Sequence, residues 1–440
     1  MKRDFYLLNV SVSGVKNIKE EVCLNFYKKT VDKNFDPEKY RVKAIYGENG
    51  AGKSALITAI KIFQDLIVID NYLSDSKTQL FLDEIVNKST HLFRFECEFL
   101  VATGTEKKVY HYMVHFGKNE NGKYEICCES LQSKSGNYVN NLYNMIFESK
   151  NGELIYVNCA DNTRELIEKK SANLLTSRSF INLYIFNLVE EFLNETKFCL
   201  DIIACTLLVC SINVYLSEED QHEVYFWQKK MRERGSFKQV FMGRLLEGEN
   251  SINIFLGVNE RLVDKKNFGE YRERVNQLTR FIKIFKSDLV SIDIDAKDNG
   301  EQYDCDLNLN YGDYVINKEF ESTGIKKLIR LFDSFAAAST NGIVFVDEMD
   351  SNLNDVYLCK LIEYFMYYGK GQLCFTTHNL DPMSVLKSNK NSIDFLSSDN
   401  HLVPWTSRGN ASPENCYKNG MIEDSPFNID ATDFIGILGD

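Results

Sequence analysis

Residues 5–12 and 22–26 are apolar-rich, strand-like runs, and a turn containing Gly14 and Asn17 joins them. This pattern predicts an antiparallel hairpin. Val42-Lys43-Ala44-Ile45-Tyr46 predicts the next strand, and residues 55–63 carry the spacing of an amphipathic helix. Residues 92–101 and 109–116 alternate apolar and polar positions across a turn at Gly104 and predict a second hairpin. From residue 140 to 288 the period lengthens and glycines become few, with helical patterns at 164–173, 180–216, 225–234 and 271–286. The stretch therefore reads as a largely helical insertion. It has no sustained heptad repeat of the kind a long coiled-coil arm requires. Strand patterns return at 290–295, 303–311 and 314–320, followed by the apolar run 343–346, a helix at 355–368 and a strand at 371–379. The expected organisation is 1–139 as the first half of an α/β unit, 140–288 as the insertion, and 289–440 as the second half.

The chain has 440 residues, 44% of them hydrophobic, enough for a large core shared by about two or three domains. Its formal net charge of −12 argues against a general polyanion binder, so any nucleic-acid contact has to come from a local basic patch. The twelve cysteines are scattered, with only Cys127 and Cys128 adjacent and no C-x-x-C pair. That spacing predicts reduced thiols in a cytoplasmic protein and no zinc site. The most apolar window, 202–216, is bounded by Asp201 and Glu218-Glu219, shorter than the roughly twenty residues a bilayer span needs. A buried helix is expected there, with no membrane anchor.

The candidate chemistry begins at Gly47-Glu48-Asn49-Gly50-Ala51-Gly52-Lys53-Ser54, which fills the fixed positions of G-x-x-x-x-G-K-[ST] between a predicted strand and a predicted helix. Its glycines let the backbone approach a triphosphate closely, with N–H groups and the helix N-terminus facing the anionic oxygens. Lys53 is expected to neutralise the β- and γ-phosphates of ATP, and the Ser54 hydroxyl to ligate Mg²⁺. The predicted hairpin at 92–116 is expected to lie against this site as a β-subdomain.

Ile343-Val344-Phe345-Val346 is followed by Asp347-Glu348, which reads as a buried parallel strand delivering two carboxylates at its carboxyl end. Asp347 is expected to hold the metal and Glu348 to polarise the attacking water. Ser322 is placed to cap a helix running through Leu328, Leu331 and Phe332, and such a helix start suits a γ-phosphate. His378 ends the strand at 371–379 and is a candidate sensor of the γ-phosphate.

Together these segments resemble the ABC-type ATPase heads of the RecF, SMC and OLD class, and are most similar to ATPase subunits of bacterial antiphage systems such as PARIS, Septu, retron-associated and abortive-infection ATPases. The resemblance covers residues 1–120 and 290–385. It implies an α/β P-loop ATPase head, a mixed β-sheet flanked by helices with an antiparallel β-subdomain, interrupted by the helical insertion. It also implies that Gly47 to Ser54 bind ATP and Mg²⁺, that Ser322 and Gly324 cap ATP bound on a second subunit, and that Asp347 coordinates the metal. Glu348 is then the catalytic base, Asp350 to Leu353 the dimer-contacting loop, and His378 the switch histidine. ATP is sandwiched between two heads in a homodimer or larger homo-oligomer. Ser322-Thr323-Gly324-Ile325 stands where transporters carry Ser-Gly-Gly-Gln, which disfavours the transport subfamily, and Asn354 stands where many relatives have His. No glutamine is assigned to the nucleotide-facing loop that relatives carry, although Gln79 precedes the second hairpin.

The stretch after His378 is shorter than a nuclease domain of about 100 residues, and Ser397-Ser398-Asp399 lacks a partner acid at the required spacing. The expected role is a sensor and scaffold subunit of an antiphage complex controlling a separate effector, a nuclease or toxin. The alternative is a RecF-like ATPase acting on DNA. Basic residues at 229–238 and 265–286, next to Phe226 and Trp227, are candidates for nucleic-acid contact through the insertion. A tail with Phe427, Ile429, Phe434 and Leu438 is expected to pack on its own head.

Overall fold

The computed structural model describes residues 3–27, 29–139, 141–188, 196–217, 257–389, 391–406, 411–423, 425 and 437. It is a mixed α/β fold in which a parallel sheet is packed beside two antiparallel ones. The parallel sheet runs in the order Leu402–Pro404, Ile393–Leu396, Val42–Gly47, Gln372–Thr376, Ile343–Val346, Ile212–Tyr215. Every neighbour is parallel except the edge strand Leu402–Pro404.

The inner strands are largely apolar because both faces are covered. Ile343 and Phe345 share a core with the helix Lys53–Val68 and the large antiparallel sheet, while Val344 and Val346 pack against the helices Thr323–Thr340 and Asp355–Tyr367. One polar pair is buried inside the sheet: Lys43 Nζ donates to Asp394 Oδ2 at 2.6 Å, with the two side chains 1% and 3% exposed.

The large antiparallel sheet runs Val22–Asn25, Arg3–Ser13, Leu92–Thr103, Glu106–Lys118, Tyr124–Ser135, Asn144–Lys150, Glu153–Val157. Both expected hairpins are present in it. Its register slips between Leu7 and Asn9 against Phe99 and Glu98, and both Leu7 peptide groups bond outside the sheet. Gln372, on the parallel sheet, takes them up: its Oε1 accepts from Leu7 N at 2.7 Å and its Nε2 donates to Leu7 O at 2.9 Å. Gln372→Leu strands both buried groups and is expected to lower unfolding stability by about 3 kcal/mol, read from the urea midpoint. A loss under about 0.5 kcal/mol, the range of ordinary surface changes, would show that this bridge does not hold the two sheets together.

The third sheet consists of Leu262–Asp264, Gln302–Asn310 and Ser291–Asn299, with Val315–Asn317 also paired to Gln302–Asn310. Tyr271, Val275, Leu278 and Ile282 form one stripe of the helix Phe268–Phe285 and pack on this sheet. The helix Thr323–Thr340 lies between two cores. Ile325, Leu328, Ile329 and Phe332 face the small sheet, while Leu331, Phe335 and Ala338 face the parallel one.

The described residues within 140–288 depart from the expected helical insertion. Helices occur at Asp161–Ser171, Phe180–Leu183, Thr196–Ser211 and Phe268–Phe285, but Asn144–Lys150 and Glu153–Val157 extend the large antiparallel sheet, and Ile212–Tyr215 is the edge strand of the parallel sheet beside the acidic strand. The hairpin turn is Asn151-Gly152, both at positive φ, the dipeptide that two-residue hairpins favour. Ile212–Tyr215 directly follows an apolar helix, so four more apolar-rich residues carry no local mark of a change in period. Strands 291–299, 302–310 and 315–317 form the small sheet and do not continue the parallel one. The predicted helix at 225–234 lies outside the described residues. The apolar window 202–216 is the buried part of Thr196–Ser211 plus that edge strand, and among the described residues no helix is long and apolar enough to cross a membrane.

Candidate nucleotide-binding site

The parallel register brings three strand ends side by side: Phe375 is paired with Val346, and Thr376 with Ile45. The phosphate loop, the acids and the segment before His378 therefore leave the sheet at one carboxyl edge, where ligands bind in open α/β sheets.

In the loop, Gly50 and Gly52 hold φ of 82° and 108°, values that favour glycine. A Cβ at Gly50 would meet nothing within 4 Å, whereas one at Gly47 would come within 2.5 Å of Leu396 O. The loop thus backs tightly onto the neighbouring strand and leaves room on its outer side at Gly50. Lys53 Nζ donates to the carbonyls of Gly47 and Glu48, both at 2.9 Å. Asn49 and Gly50 are exposed, Glu48 and Ser54 half-buried, and Ala51 buried. Ser54 opens the helix Lys53–Val68, so its hydroxyl sits with the unpaired N–H groups of the first turn.

Asp347 is fully buried. Its Oδ1 accepts from Thr376 Oγ1 at 2.6 Å, and the same hydroxyl accepts from Glu348 N at 2.7 Å. Glu348 has a φ of 48°, in the left-handed region that a residue with a Cβ rarely occupies. His378 N donates to Asp350 Oδ2 at 3.3 Å, and Asp350 Oδ1 is buried without a hydrogen-bond partner among the described residues. Burial pushes the Lys53 ammonium pKa down, while Asp347, Glu348 and Asp350 pull it back up. Desolvation and then Lys53 lower His378, against Asp350 and Asp347, which favours a neutral imidazole at pH 7. These couplings place Lys53, Asp347, Asp350 and His378 within one electrostatic neighbourhood. Ser54 and Asp347 each offer oxygen donors of the type Mg²⁺ takes, and the room at Gly50 suits a phosphate.

Ser322 caps the helix Thr323–Thr340, its hydroxyl accepting from Ile325 N at 3.4 Å. Ser322 and Thr323 are exposed. Gly324 is pressed against the segment after the acids, since a Cβ there would lie 2.5 Å from Asn352 O. A cleft of about 490 Å³ opens at this point, lined by Ser322, Gly324, Asn352, Leu353, Tyr314 and Tyr357 among others. Asn354 caps the next helix by accepting from Val356 N at 3.0 Å.

Three contributors had no role at the site assigned to them from sequence. Asn17 Nδ2 donates to Gly50 O at 2.5 Å, so the turn after the first strand supports the phosphate loop. The Thr376 hydroxyl joins the two acids. Lys327, buried, donates to the Glu348 carbonyl. The available signal for Lys327 was a lysine heading the stripe Leu331, Phe335, Ala338 on the sheet-facing side of its helix. Gln79 belongs to the scaffold, its amide bonded to Leu73 O and to both peptide groups of Tyr124.

Basic residues of the 265–286 stretch are largely engaged: Lys265 with Asp298, Arg280 with Glu273, Lys286 with Asp288, and buried Arg274 with Asp333. The cluster at 229–238 with Phe226 and Trp227, and the tail anchors Phe427, Ile429, Phe434 and Leu438, lie outside the described residues.

No protein-family model matches the sequence, and no curated protein is significantly similar to it. Among solved structures, the chain is similar to the recombination mediator protein RecF of the RecFOR pathway in two forms. RecF-ATPrS is 17% identical with a TM-score of 0.35, covering 92% of this chain and 99% of that one. RecF-ATP is 14% identical with a TM-score of 0.39, covering 92% of this chain and 100% of that one.

Proposed function

We propose that this chain is a Mg²⁺-dependent ATPase whose two copies meet face to face, each holding ATP on residues 47–54 and covering its partner's ATP with Ser322 and Gly324. The observation that carries the reading is the convergence of Lys53, Asp347, Asp350 and His378 at the carboxyl edge of one parallel sheet, with Glu348 beside Asp347 on the Thr376 hydroxyl. The exposed Ser322 and Thr323, at a helix start with free N–H donors, support the two-copy arrangement.

In this mechanism Lys53 leaves its loop carbonyls for the β- and γ-phosphates, and the loop N–H groups hold the remaining oxygens. Mg²⁺, held by Ser54 and Asp347, would neutralise charge on the phosphates when bound. Thr376 keeps Asp347 and the Glu348 backbone in fixed relation. Glu348 takes the proton of the attacking water as its oxygen bonds to the γ-phosphorus and the bond from that phosphorus to the bridging oxygen breaks, releasing ADP with the electron pair. His378, neutral and near Lys53, donates to a γ-phosphate oxygen.

Ser322→Arg tests the reading, because a bulky cation at the helix start blocks a second copy. ATP binding is expected to persist, while ATP-dependent dimerisation, measured by light scattering, is lost and turnover falls about a hundredfold, the scale of losing oriented transition-state contacts. Dimers and turnover that survive the change would overturn the two-copy arrangement.

For the wider role, the motif resemblance supports a sensor and scaffold in a bacterial antiphage complex that governs a separate nuclease or toxin. The net charge of −12 and the ion-paired basic helix favour protein contacts over phosphate contacts. ATP-dependent DNA binding that weakens steeply with salt would instead establish the RecF-like alternative.

A further inference from the structure

Lys327 is a buried lysine whose ammonium meets three acceptors on the turn that carries the acids: Glu348 O at 2.5 Å, Ser351 O at 2.8 Å and Ser351 Oγ at 2.5 Å. Three acceptors use all three N–H donors of the group. Burial pushes its pKa down to about 8 against the pull of Asp350, Glu348 and Asp347, so an apolar residue would fill this position at lower cost.

Glu348 needs holding. Its backbone sits at a φ of 48°, a conformation that persists in a residue with a Cβ only where the surroundings over-determine it. Two constraints reach the residue from outside its own turn, where Ser351 N and Oγ already donate to its carbonyl: Thr376 Oγ1 accepts from its N–H, and Lys327 donates to that carbonyl. The first comes from the rigid sheet. The second comes from the helix that starts at Ser322, and over five residues an α-helix behaves as a stiff rod. Gly324 is in direct contact with Asn352 of the same turn, so a shift of the helix start is felt by the turn at two points.

We infer that Lys327 is a positioning residue that transmits the docking of Ser322 on a second copy to the placement of Glu348, so that hydrolysis at one nucleotide site depends on occupancy of the other. The inference rests on the two-copy ATPase reading above. Ser322 of one copy covers the partner's ATP, yet Lys327 of that same copy aims the Glu348 that acts on its own ATP. Occupancy is thereby exchanged between sites in both directions, which is positive cooperativity.

The test is steady-state turnover against ATP concentration for the full chain, with Lys327→Met, Lys327→Arg, Ser322→Arg and the double variant Lys327→Met with Ser322→Arg. The wild type is expected to give a Hill coefficient approaching two, the limit for two sites. Lys327→Met should bring it to about one and lower kcat by at least about tenfold, with half-saturation changed less than about twofold. Lys327→Arg should restore both, since a guanidinium can reach the same carbonyls. In the double variant, Lys327→Met should add little to the roughly hundredfold loss of Ser322→Arg. A cooperative Lys327→Met enzyme, or fully additive losses, would overturn the coupling.

Amide hydrogen exchange of residues 348–353 reads the same link without turnover. It should accelerate about tenfold or more in Lys327→Met while residues 47–54 keep their protection, and unchanged exchange at 348–353 counts against Lys327. Absence of wild-type turnover overturns the ATPase reading, and the exchange result then decides the link between helix and turn on its own.

Discussion

Glu348→Gln is expected to lower ATP turnover by about three orders of magnitude while leaving ATP affinity and nucleotide-dependent pairing of copies intact. The size follows from the contribution of a positioned general base, about 10²- to 10⁴-fold. The selectivity follows from the local structure. The amide keeps the shape of the carboxylate, and the bonds that fix residue 348 run through its backbone, from Thr376 Oγ1 on one side and Lys327 Nζ on the other. The substitution therefore removes proton acceptance without disturbing Asp347 or the Lys53 loop. Single-turnover phosphate release measures the chemical step, and light scattering with ATP measures pairing. ATP-loaded dimers should accumulate because the step that separates them no longer occurs. Turnover at the wild-type rate would remove Glu348 from the chemistry and point to another water-activating group.

The second large effect concerns stability. Asp394→Ala leaves the Lys43 ammonium buried between strands with its 2.6 Å partner gone, and breaking a buried pair from one side costs about 3–5 kcal/mol. The loss should appear as a marked fall in the urea midpoint. It should also loosen the phosphate loop, because Val42–Gly47 and Ile393–Leu396 are adjacent strands and Gly47 backs directly onto Leu396 O. The paired replacement Lys43→Met with Asp394→Leu removes both charges and keeps the volume, so most of the stability should return. If the double variant is as unstable as the single one, the cost lies in packing and not in the orphaned charge. This pair was not legible in the sequence, where Lys43 is one charge inside an otherwise apolar strand and Asp394 lies far along the chain.

Features set by short-range chemistry were readable from the amino-acid order. The G-x-x-x-x-G-K-S spacing, the apolar run ending in Asp347-Glu348, the Ser322 cap and the two early hairpins each depend on residues a few positions apart. Backbone sterics and hydrogen-bond reach fix those distances in any fold. The sequence could not reveal features whose partner lies on another element. Ile212–Tyr215 is a strand because Ile343–Val346 offers a ladder beside it, and over four residues a period of two cannot be told from one of 3.6. Gln372 bridges to Leu7, a residue of another sheet 365 positions away along the chain. Lys327 could have been a solvated lysine on a helix, and it became a link to Glu348 because packing set its ammonium against three acceptors of the acid turn. Local order thus named the reactive groups. Tertiary packing decided which way they point, because burying a charge or a peptide group forces it to find a partner wherever the fold has left one.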